Sequence, residues 1–252
     1  MSMFTLAAAQ AVSIAGDLQA NIDRHLAFMR QAAEQGVEFL LFPELSLTGY
    51  ERSLAAGLAI MPDDPVLAPL RELACELKLV TVVGMPIRLS AGGPVLIGAL
   101  TFGADGSSRV YSKQHLHDGE EVAFTPGHGG EPLTITSERI ALAVCADFSH
   151  ASHPLRAAQS EANLYAASVL ITENGYGPDT ALLQGYARDH GMAVLMANHG
   201  GVTGGWQSAG RSALWAAGGQ RVVAAEGEGD VLVIGRRVAG QWSGELISVT
   251  GL

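Results

Sequence analysis

Short, almost entirely apolar segments alternate with amphipathic helical patterns along most of this 252-residue chain. Residues 4–12, 37–42 and 80–85 form such segments, which are typical of strands buried on both faces. Between them, apolar residues recur every three or four positions after Asp17, which is placed to cap a helix. Asp64, followed by Pro65, predicts the start of a second helix that extends to about Leu77. The alternation predicts a layered α/β protein, with a mixed sheet or two sheets and helices on the outside.

The same pattern continues to the C-terminal region. Gly103 and Gly106 mark a turn between two predicted strands. The further predicted strands are residues 95–102, 109–112, 133–136, 140–145, 169–171, 193–198, 212–216, 221–225 and 230–234, and the further predicted helices are residues 153–163 and 179–190. No linker, low-complexity tract or internal repeat interrupts the pattern, so we predict a single domain over residues 1–252.

The composition limits the classes of protein to which the chain can belong. Apolar residues make up 48% of the chain and charged residues 16%, against about 25% charged residues in an average globular protein, which excludes a disordered chain or a coiled coil. The net charge is 15 − 25 = −10, so we predict no nucleic-acid-binding surface. No apolar run approaches the roughly 20 residues that span a bilayer, so we predict no membrane span.

The two cysteines, Cys75 and Cys145, have no spacing of the kind found in disulfide frameworks or zinc fingers. No Lys or Arg precedes the first apolar segment, so we predict no cleaved secretory signal. Both features are typical of a reduced compartment, and we predict a cytoplasmic protein. Cys75 lies among the apolar residues of a predicted helix, where a structural role is expected, whereas Cys145 follows a predicted strand directly.

Several predicted strands end abruptly at a polar or reactive residue. Glu44, Lys113 and Cys145 each stand just beyond such a strand, and Glu173 and Asn174 follow another. Ligands of α/β proteins bind beyond the carboxyl ends of strands, so we expect these side chains to converge there. Each residue alone is also typical of a solvated loop or, in the case of the cysteine, of an inert buried thiol.

Three of these residues have complementary chemistry. A thiol is a strong nucleophile only as the thiolate, so it needs a base or a positive neighbour. Glu44 can accept the proton of Cys145, and Lys113 can supply the positive charge. The ammonium group and a backbone N–H after the cysteine can form an oxyanion hole. Such a set suits acyl transfer from an amide or attack on a nitrile carbon.

Three segments resemble the motifs of the nitrilase superfamily, the carbon–nitrogen hydrolases. Residues 41–50 (LFPELSLTGY) resemble the glutamate motif, and residues 143–147 (AVCAD) resemble the cysteine motif. Residues 111–116 (YSKQHL), followed by residues 124–127 (FTPG), resemble the lysine motif. The motifs stand in the family's order, and further matches near both ends extend the resemblance over most of the chain.

The resemblance implies a four-layer αββα sandwich that pairs with a second copy of the chain as a homodimer. It implies that Glu44 is the general base, that Lys113 stabilises the transition state and that Cys145 is the nucleophile, with no metal or organic cofactor. A second glutamate often precedes the Phe-x-Pro-Gly segment in this family. Counting back from that segment selects Glu120, with the adjacent Glu121 as the alternative, to orient the lysine or the substrate.

The chain departs from the family pattern next to the cysteine. Ala146 stands where many members have an aromatic residue, and residues 148–153 (FSHASH) replace the common Phe-Pro-Glu. Both changes lie where the substrate pocket is expected. We expect Tyr50, Ala146, Glu173 and Asn174 to contact the substrate. By analogy with the family, this substrate is a small amide or N-carbamoyl compound that reacts through a thioester, and nitrile hydrolysis at the same residues is the alternative.

Two further functions match parts of the sequence. The pairs His115/His117 and His150/His153 have spacings that can place two metal ligands together, but no further ligand set of recognised spacing accompanies them, so no metal site is predicted. A non-catalytic scaffold could keep the fold, but such a chain would be free to lose any of the three reactive residues.

The glycine-rich residues 199–205 lack the Gly-Lys-Ser/Thr ending of a phosphate-binding loop, and we predict a tight loop at the pocket rim.

Overall fold

The computed structural model describes residues 3–250. The helices are α1 (Leu18–Glu34), α2 (Ala55–Leu58), α3 (Ala68–Leu77), α4 (Ser152–Gln159) and α5 (Glu173–Asp189). The strands are β1 (Met3–Gln10), β2 (Phe39–Leu41), β3 (Val80–Ile87), β4 (Leu96–Phe102), β5 (Ser108–Ser112), β6 (Leu133–Ile135), β7 (Glu138–Val144), β8 (Leu164–Val169), β9 (Ala193–Asn198), β10 (Val202–Thr203), β11 (Trp206–Gln207), β12 (Ala213–Trp215), β13 (Arg221–Ala224), β14 (Val231–Val238) and β15 (Gln241–Ser248).

The strands form two mixed sheets that pack face to face. The first has the order β15-β14-β1-β2-β3-β4-β5 and the second the order β13-β12-β9-β8-β7-β6, with β10 and β11 forming a separate hairpin. Side chains alternate between the two faces of each strand. In β1, Leu6 and Ala8 pack in the core between the sheets, whereas Ala7 and Ala9 pack in a second core with α1 and α3. A third core joins the second sheet to α4 and α5. These three cores separate four layers, so the predicted αββα sandwich is confirmed.

The capping residues predicted for the first helices are observed. The Asp17 carboxylate accepts a hydrogen bond from the Ala20 backbone N–H at the start of α1. Asp64 likewise accepts from the Val66 N–H at 2.9 Å, where a short 3-10 turn leads into α3. Each cap satisfies one of the backbone N–H groups that a helix start leaves without a partner.

The prediction for residues 169–190 is wrong in its boundaries. The strand predicted at residues 169–171 lies earlier, as β8, and the helix predicted from Asp179 begins at Glu173. The pair Pro178-Asp179 imitates a helix start, but α5 holds Pro178 in its second turn. There the missing proline N–H removes one helical hydrogen bond without ending the helix. The tertiary contacts of α5 with β9 and with the turn after β7 outweigh that loss.

The strand directions bring the reactive residues to one region. β2 pairs in parallel with β3, and β4 runs antiparallel to both β3 and β5, so β2 and β5 point the same way. The carboxyl ends of β2 and β5 therefore lie at the same end of the first sheet. Glu44 follows β2 after a short segment, and Lys113 follows β5 directly. In the facing sheet, β7 ends at Val144, directly before Cys145. The packing of the two sheets brings the three chain segments together.

The helices within residues 3–250 lack the combination of length and apolar character that a membrane span requires. The longest of them, α1 and α5, have 17 residues each and carry several charged side chains. The single domain, the homodimer and the cytoplasmic location stay predictions.

Candidate active site

A buried lysine between two carboxylates forms the centre of the candidate active site. Lys113 Nζ donates hydrogen bonds to Glu44 Oε1 at 2.7 Å and to Glu120 Oε1 at 2.8 Å, and all three side chains are buried. Burial by itself would lower the pKa of Lys113, but Glu44 and the other acidic neighbours raise it above its ordinary value. Lys113 is therefore a cation, and its third N–H remains available for another acceptor.

The second oxygen of Glu44 is free. Oε2 is buried and has no hydrogen-bond partner among residues 3–250. Burial raises the pKa of Glu44 to about 7, against the lowering effect of Lys113 and with a further increase from the negative charge of Glu120. A carboxylate that titrates near neutral pH can both accept a proton and return it, which is the requirement for a general base that later acts as an acid.

Close backbone contacts hold the segment that carries Glu44. Gly84 of β3 passes so near that a Cβ on it would lie 2.2 Å from the backbone nitrogen of Leu45. The Gly84 N–H donates to Ser46 Oγ at 3.2 Å. On the other side, His199 Nε2 donates to the Glu44 carbonyl oxygen at 2.7 Å. Burial lowers the pKa of His199 to about 4, so the ring is neutral and its single proton lies on Nε2.

Cys145 occupies a sharp turn between β7 and a 3-10 helix of residues Cys145–Ser149. Its φ is 44°, in the left-handed region that residues other than glycine rarely adopt. The residue is partly buried, and its Sγ lies 3.8 Å from the Leu170 carbonyl oxygen. Burial and the charge of Glu44 raise the pKa of Cys145 despite Lys113. The resting group is therefore a thiol. The N–H of Ala146 lies in the first turn of the 3-10 helix, where backbone donors lack helical partners.

Asp147 joins the lysine segment to the cysteine segment, a role that the sequence analysis missed. Its buried carboxylate accepts from the backbone N–H groups of Gln114 at 3.0 Å and His115 at 2.9 Å through Oδ1. Oδ2 accepts from the Tyr111 hydroxyl at 2.6 Å and from the Val144 N–H at 3.1 Å. The only signal in the sequence was its place two residues after the cysteine in the cysteine motif.

The histidines whose spacing could suit a metal site have other partners. The rings of His115 and His150 stack with centroids 3.8 Å apart. His153 lies between two tyrosines, with Nε2 at 2.8 Å from the Tyr111 hydroxyl and Nδ1 at 2.8 Å from the Tyr165 hydroxyl. In the described part of the chain, no three His, Cys, Asp or Glu side chains form a group that could hold a metal ion.

A cavity of about 330 Å³ opens beside the reactive groups and is lined by Glu44 and Cys145. Two of the four predicted substrate-contacting residues, Tyr50 and Ala146, also line it. The Tyr50 hydroxyl donates to Glu120 Oε1 at 2.5 Å, which ties the cavity wall to the carboxylate that holds the lysine. Glu120 rather than the adjacent glutamate makes these contacts.

The structure does not place the other two predicted substrate-contacting residues in the cavity wall. Glu173 and Asn174 are exposed and lie outside the cavity lining, where Thr172 and Gly175 are found instead. The reason is the early start of α5, which places both residues in the first helical turn rather than in a loop. The Glu173 carboxylate forms an ion pair with Arg211.

The glycine-rich residues 199–205 lead into the β10–β11 hairpin. Trp206 of β11 is part of the cavity lining and is 48% exposed. The predicted loop at the pocket rim is therefore a hairpin, and the sequence analysis missed its tryptophan. A two-residue turn of Gly204 and Gly205, both with positive φ, allows this tight reversal.

Comparisons with known proteins agree with this geometry. A sequence model described as carbon-nitrogen hydrolase matches residues 5–240. A mutant of the amidase from Nesterenkonia sp. AN1, which shows Michael addition of acrylamide at its active-site cysteine, is 26% identical with a TM-score of 0.82, over 92% of each chain. Another mutant of this amidase, in complex with butyramide, is also 26% identical with a TM-score of 0.82, over 92% of this chain and 89% of that one.

A third solved structure shares the fold at lower sequence identity. Nit3 of Saccharomyces cerevisiae, a member of branch 10 of the nitrilase superfamily, has a TM-score of 0.86 over 93% of this chain and 89% of its own, at 19% identity. The family match covers nearly the whole sandwich, including the chain segments of the lysine, the two glutamates and the cysteine. The chain belongs to the carbon–nitrogen hydrolase family.

Proposed function

We propose that the chain hydrolyses the carbon–nitrogen bond of a small amide or N-carbamoyl compound, with Cys145 as the nucleophile. One observation carries the proposal. Glu44 binds the ammonium of Lys113 with Oε1 and keeps Oε2 free, in a cavity that it shares with the Cys145 thiol. The base and the nucleophile are thus available to a single carbonyl group, and the buried cation is in direct contact with the base. The acrylamide adduct on the active-site cysteine of the similar amidase supports the nucleophilic role of the cysteine.

The first half of the reaction forms a thioester. The sulfur of Cys145 attacks the carbonyl carbon while its proton passes to Glu44 Oε2, and the carbonyl π electrons move to the oxygen. The third N–H of Lys113 and the backbone N–H of Ala146 hold the resulting oxyanion. The carbon–nitrogen bond then breaks, the proton on Glu44 passes to the nitrogen, and ammonia or an amine leaves.

The second half regenerates the thiol. A water molecule gives one proton to Glu44 and attacks the thioester carbon, so that a second oxyanion forms in the same place. When the carbon–sulfur bond breaks, the sulfur takes the proton back from Glu44, and the carboxylic acid leaves. A pKa of about 7 for Glu44 suits both directions of transfer at neutral pH. The scheme uses no metal or organic cofactor.

Glu120 supports the reaction without touching the reacting atoms. It accepts hydrogen bonds from Lys113, from the Tyr50 hydroxyl and, at 2.8 Å, from the His117 N–H. These contacts restrict the ammonium to one position. The third N–H of the lysine is therefore oriented before the substrate binds, which is the basis of electrostatic stabilisation in an enzyme site.

The test is a rapid-quench measurement of the acyl adduct by intact-protein mass spectrometry, together with ammonia release from a panel of short aliphatic amides, N-carbamoyl compounds and the matching nitriles. We expect Cys145→Ala to lose both the adduct and turnover. Cys75→Ala, which removes the other cysteine in α3, should keep both. Undiminished hydrolysis by Cys145→Ala would refute the scheme. Turnover of nitriles but not of amides would favour the alternative reaction at the same residues.

A further inference from the structure

Helix α5 exposes one carboxylate to the substrate cavity. Gly175 and Asp179 stand four residues apart, on the same helical face, and both line the cavity. A Cβ on Gly175 would lie 3.1 Å from Asp179 Oδ2, so any side chain there would stand beside this oxygen. The glycine therefore leaves the Asp179 carboxylate open to a ligand.

Among the described residues, Asp179 has no counter-ion of its own. Its side chain is half-buried, and within residues 3–250 no hydrogen bond or ion pair reaches its carboxylate. Burial raises the pKa of Asp179, and only His117 acts in the opposite direction. A half-buried carboxylate without a partner is unfavourable, and a cationic group in the cavity would remove that cost.

The other charges of the cavity wall leave it negative. Arg52 is the only arginine or lysine side chain in the described lining, and its Nη1 donates to the Gly119 carbonyl oxygen at 3.2 Å. Asp118 and Asp179 are the two aspartates, so these three side chains carry 1 − 2 = −1. Glu44, which also lines the cavity, forms a cluster with Lys113 and Glu120 that carries −1 or, when Glu44 is protonated, zero. With histidine counted as neutral, the cavity is negative in both states.

We propose that Asp179 is a specificity-determining residue that selects amides with an ammonium group at the end remote from the scissile carbon–nitrogen bond. The proposal rests on the proposed function of the cavity and adds its substrate class. A volume of about 330 Å³ is near the lower end of small-molecule sites, which favours short ω-amino amides. An unpaired charge in a half-buried position attracts an opposite charge strongly enough for about a tenfold effect on affinity.

The test compares ω-amino amides of two to six carbons with the neutral alkanamides of equal length. We expect the wild-type chain to show a kcat/KM about tenfold higher for the best ω-amino amide than for its neutral counterpart. Asp179→Asn should abolish this preference, mainly by raising KM for the ω-amino amides. Asp189→Asn removes an exposed carboxylate from the same helix and should keep the preference. Added salt should weaken the preference, because screening acts on the charge pair.

Binding to Cys145→Ala, measured by calorimetry with and without Asp179→Asn, tests the inference without turnover. Tighter binding of the ω-amino amides that depends on Asp179 supports it. Equal binding of charged and neutral amides, or a preference that survives Asp179→Asn, would overturn it. The two proposals fail differently. An absence of turnover with selective binding contradicts only the proposed reaction, whereas turnover without charge preference contradicts only the role of Asp179.

Discussion

Asp147→Asn tests whether the link between the lysine and cysteine segments governs activity. The asparagine keeps one acceptor oxygen and replaces the other with an NH₂ donor. If the NH₂ takes the Oδ2 position, the Tyr111 hydroxyl can turn to accept from it, but the Val144 N–H faces a donor. An orphaned buried N–H costs about 1–3 kcal/mol, and the loss of the charge on the remaining bonds costs about 1 kcal/mol more. We therefore expect the free energy of unfolding to fall by about 2–4 kcal/mol.

The kcat of folded Asp147→Asn protein should also fall, beyond any loss that a smaller folded fraction would cause. Val144 directly precedes Cys145, and the bound N–H of Gln114 directly follows Lys113, so a loosened link shifts both reactive groups. A displacement of about 1 Å at reacting groups can cost roughly 10²-fold in rate. We expect kcat to fall about 10- to 100-fold with a smaller change in KM, because Asp147 is outside the cavity lining within the described residues.

Urea unfolding followed by circular dichroism gives the stability, and initial rates of ammonia release give kcat and KM. Asp63→Asn is the matched control, because Asp63 is exposed and is not part of the cavity lining, and it should change neither quantity. An Asp147→Asn protein that loses less than about 1 kcal/mol and keeps kcat within about twofold of the wild type would refute the reasoning.

Three further predictions concern packing and protons. Gly84→Ala places a Cβ 2.2 Å from Leu45 N and 2.5 Å from Pro43 O. This variant should lower the free energy of unfolding in urea by about 1–3 kcal/mol or more and reduce kcat. The control Gly57→Ala, whose Cβ would have no neighbouring atom within 4 Å, should do neither. Since burial raises the pKa of Glu44 to about 7, kcat/KM should rise with pH up to about 7 and then level off; a flat profile between about pH 5.5 and 8 would contradict its role as the base. Burial lowers the pKa values of His25, His153 and His199 to about 3, 4 and 4, so these histidines take up protons only on unfolding. Glu44, with its raised pKa, offsets one of these protons, and the unfolded state therefore binds 3 − 1 = 2 more protons than the folded state. Urea midpoints should thus fall as the pH drops from about 6.5 to about 4.5, and unchanged midpoints would contradict this.

Much of the fold follows from local patterns in the sequence. Strands buried on both faces are continuous apolar segments, so β9 was predicted with the bounds that the structure has. The caps Asp17 and Asp64 also follow from sequence, because a capping bond joins residues two or three positions apart. The family motifs predicted the four layers. The errors lie where long-range contacts outweigh a local signal, as at Pro178 in α5.

The sequence by itself determined which residues follow the buried strands, and thereby selected Glu44, Lys113 and Cys145 as the reactive candidates. Only the tertiary structure decided how they are held and what surrounds them. The structure brings Glu120, rather than Glu121, into contact with Lys113, which lies seven residues earlier in the chain. It also brings Asp147 into contact with the lysine segment, more than thirty residues away in sequence. The physical reason is that strand ends depend on local hydrophobicity, whereas hydrogen bonds between separate segments depend on how two sheets pack face to face.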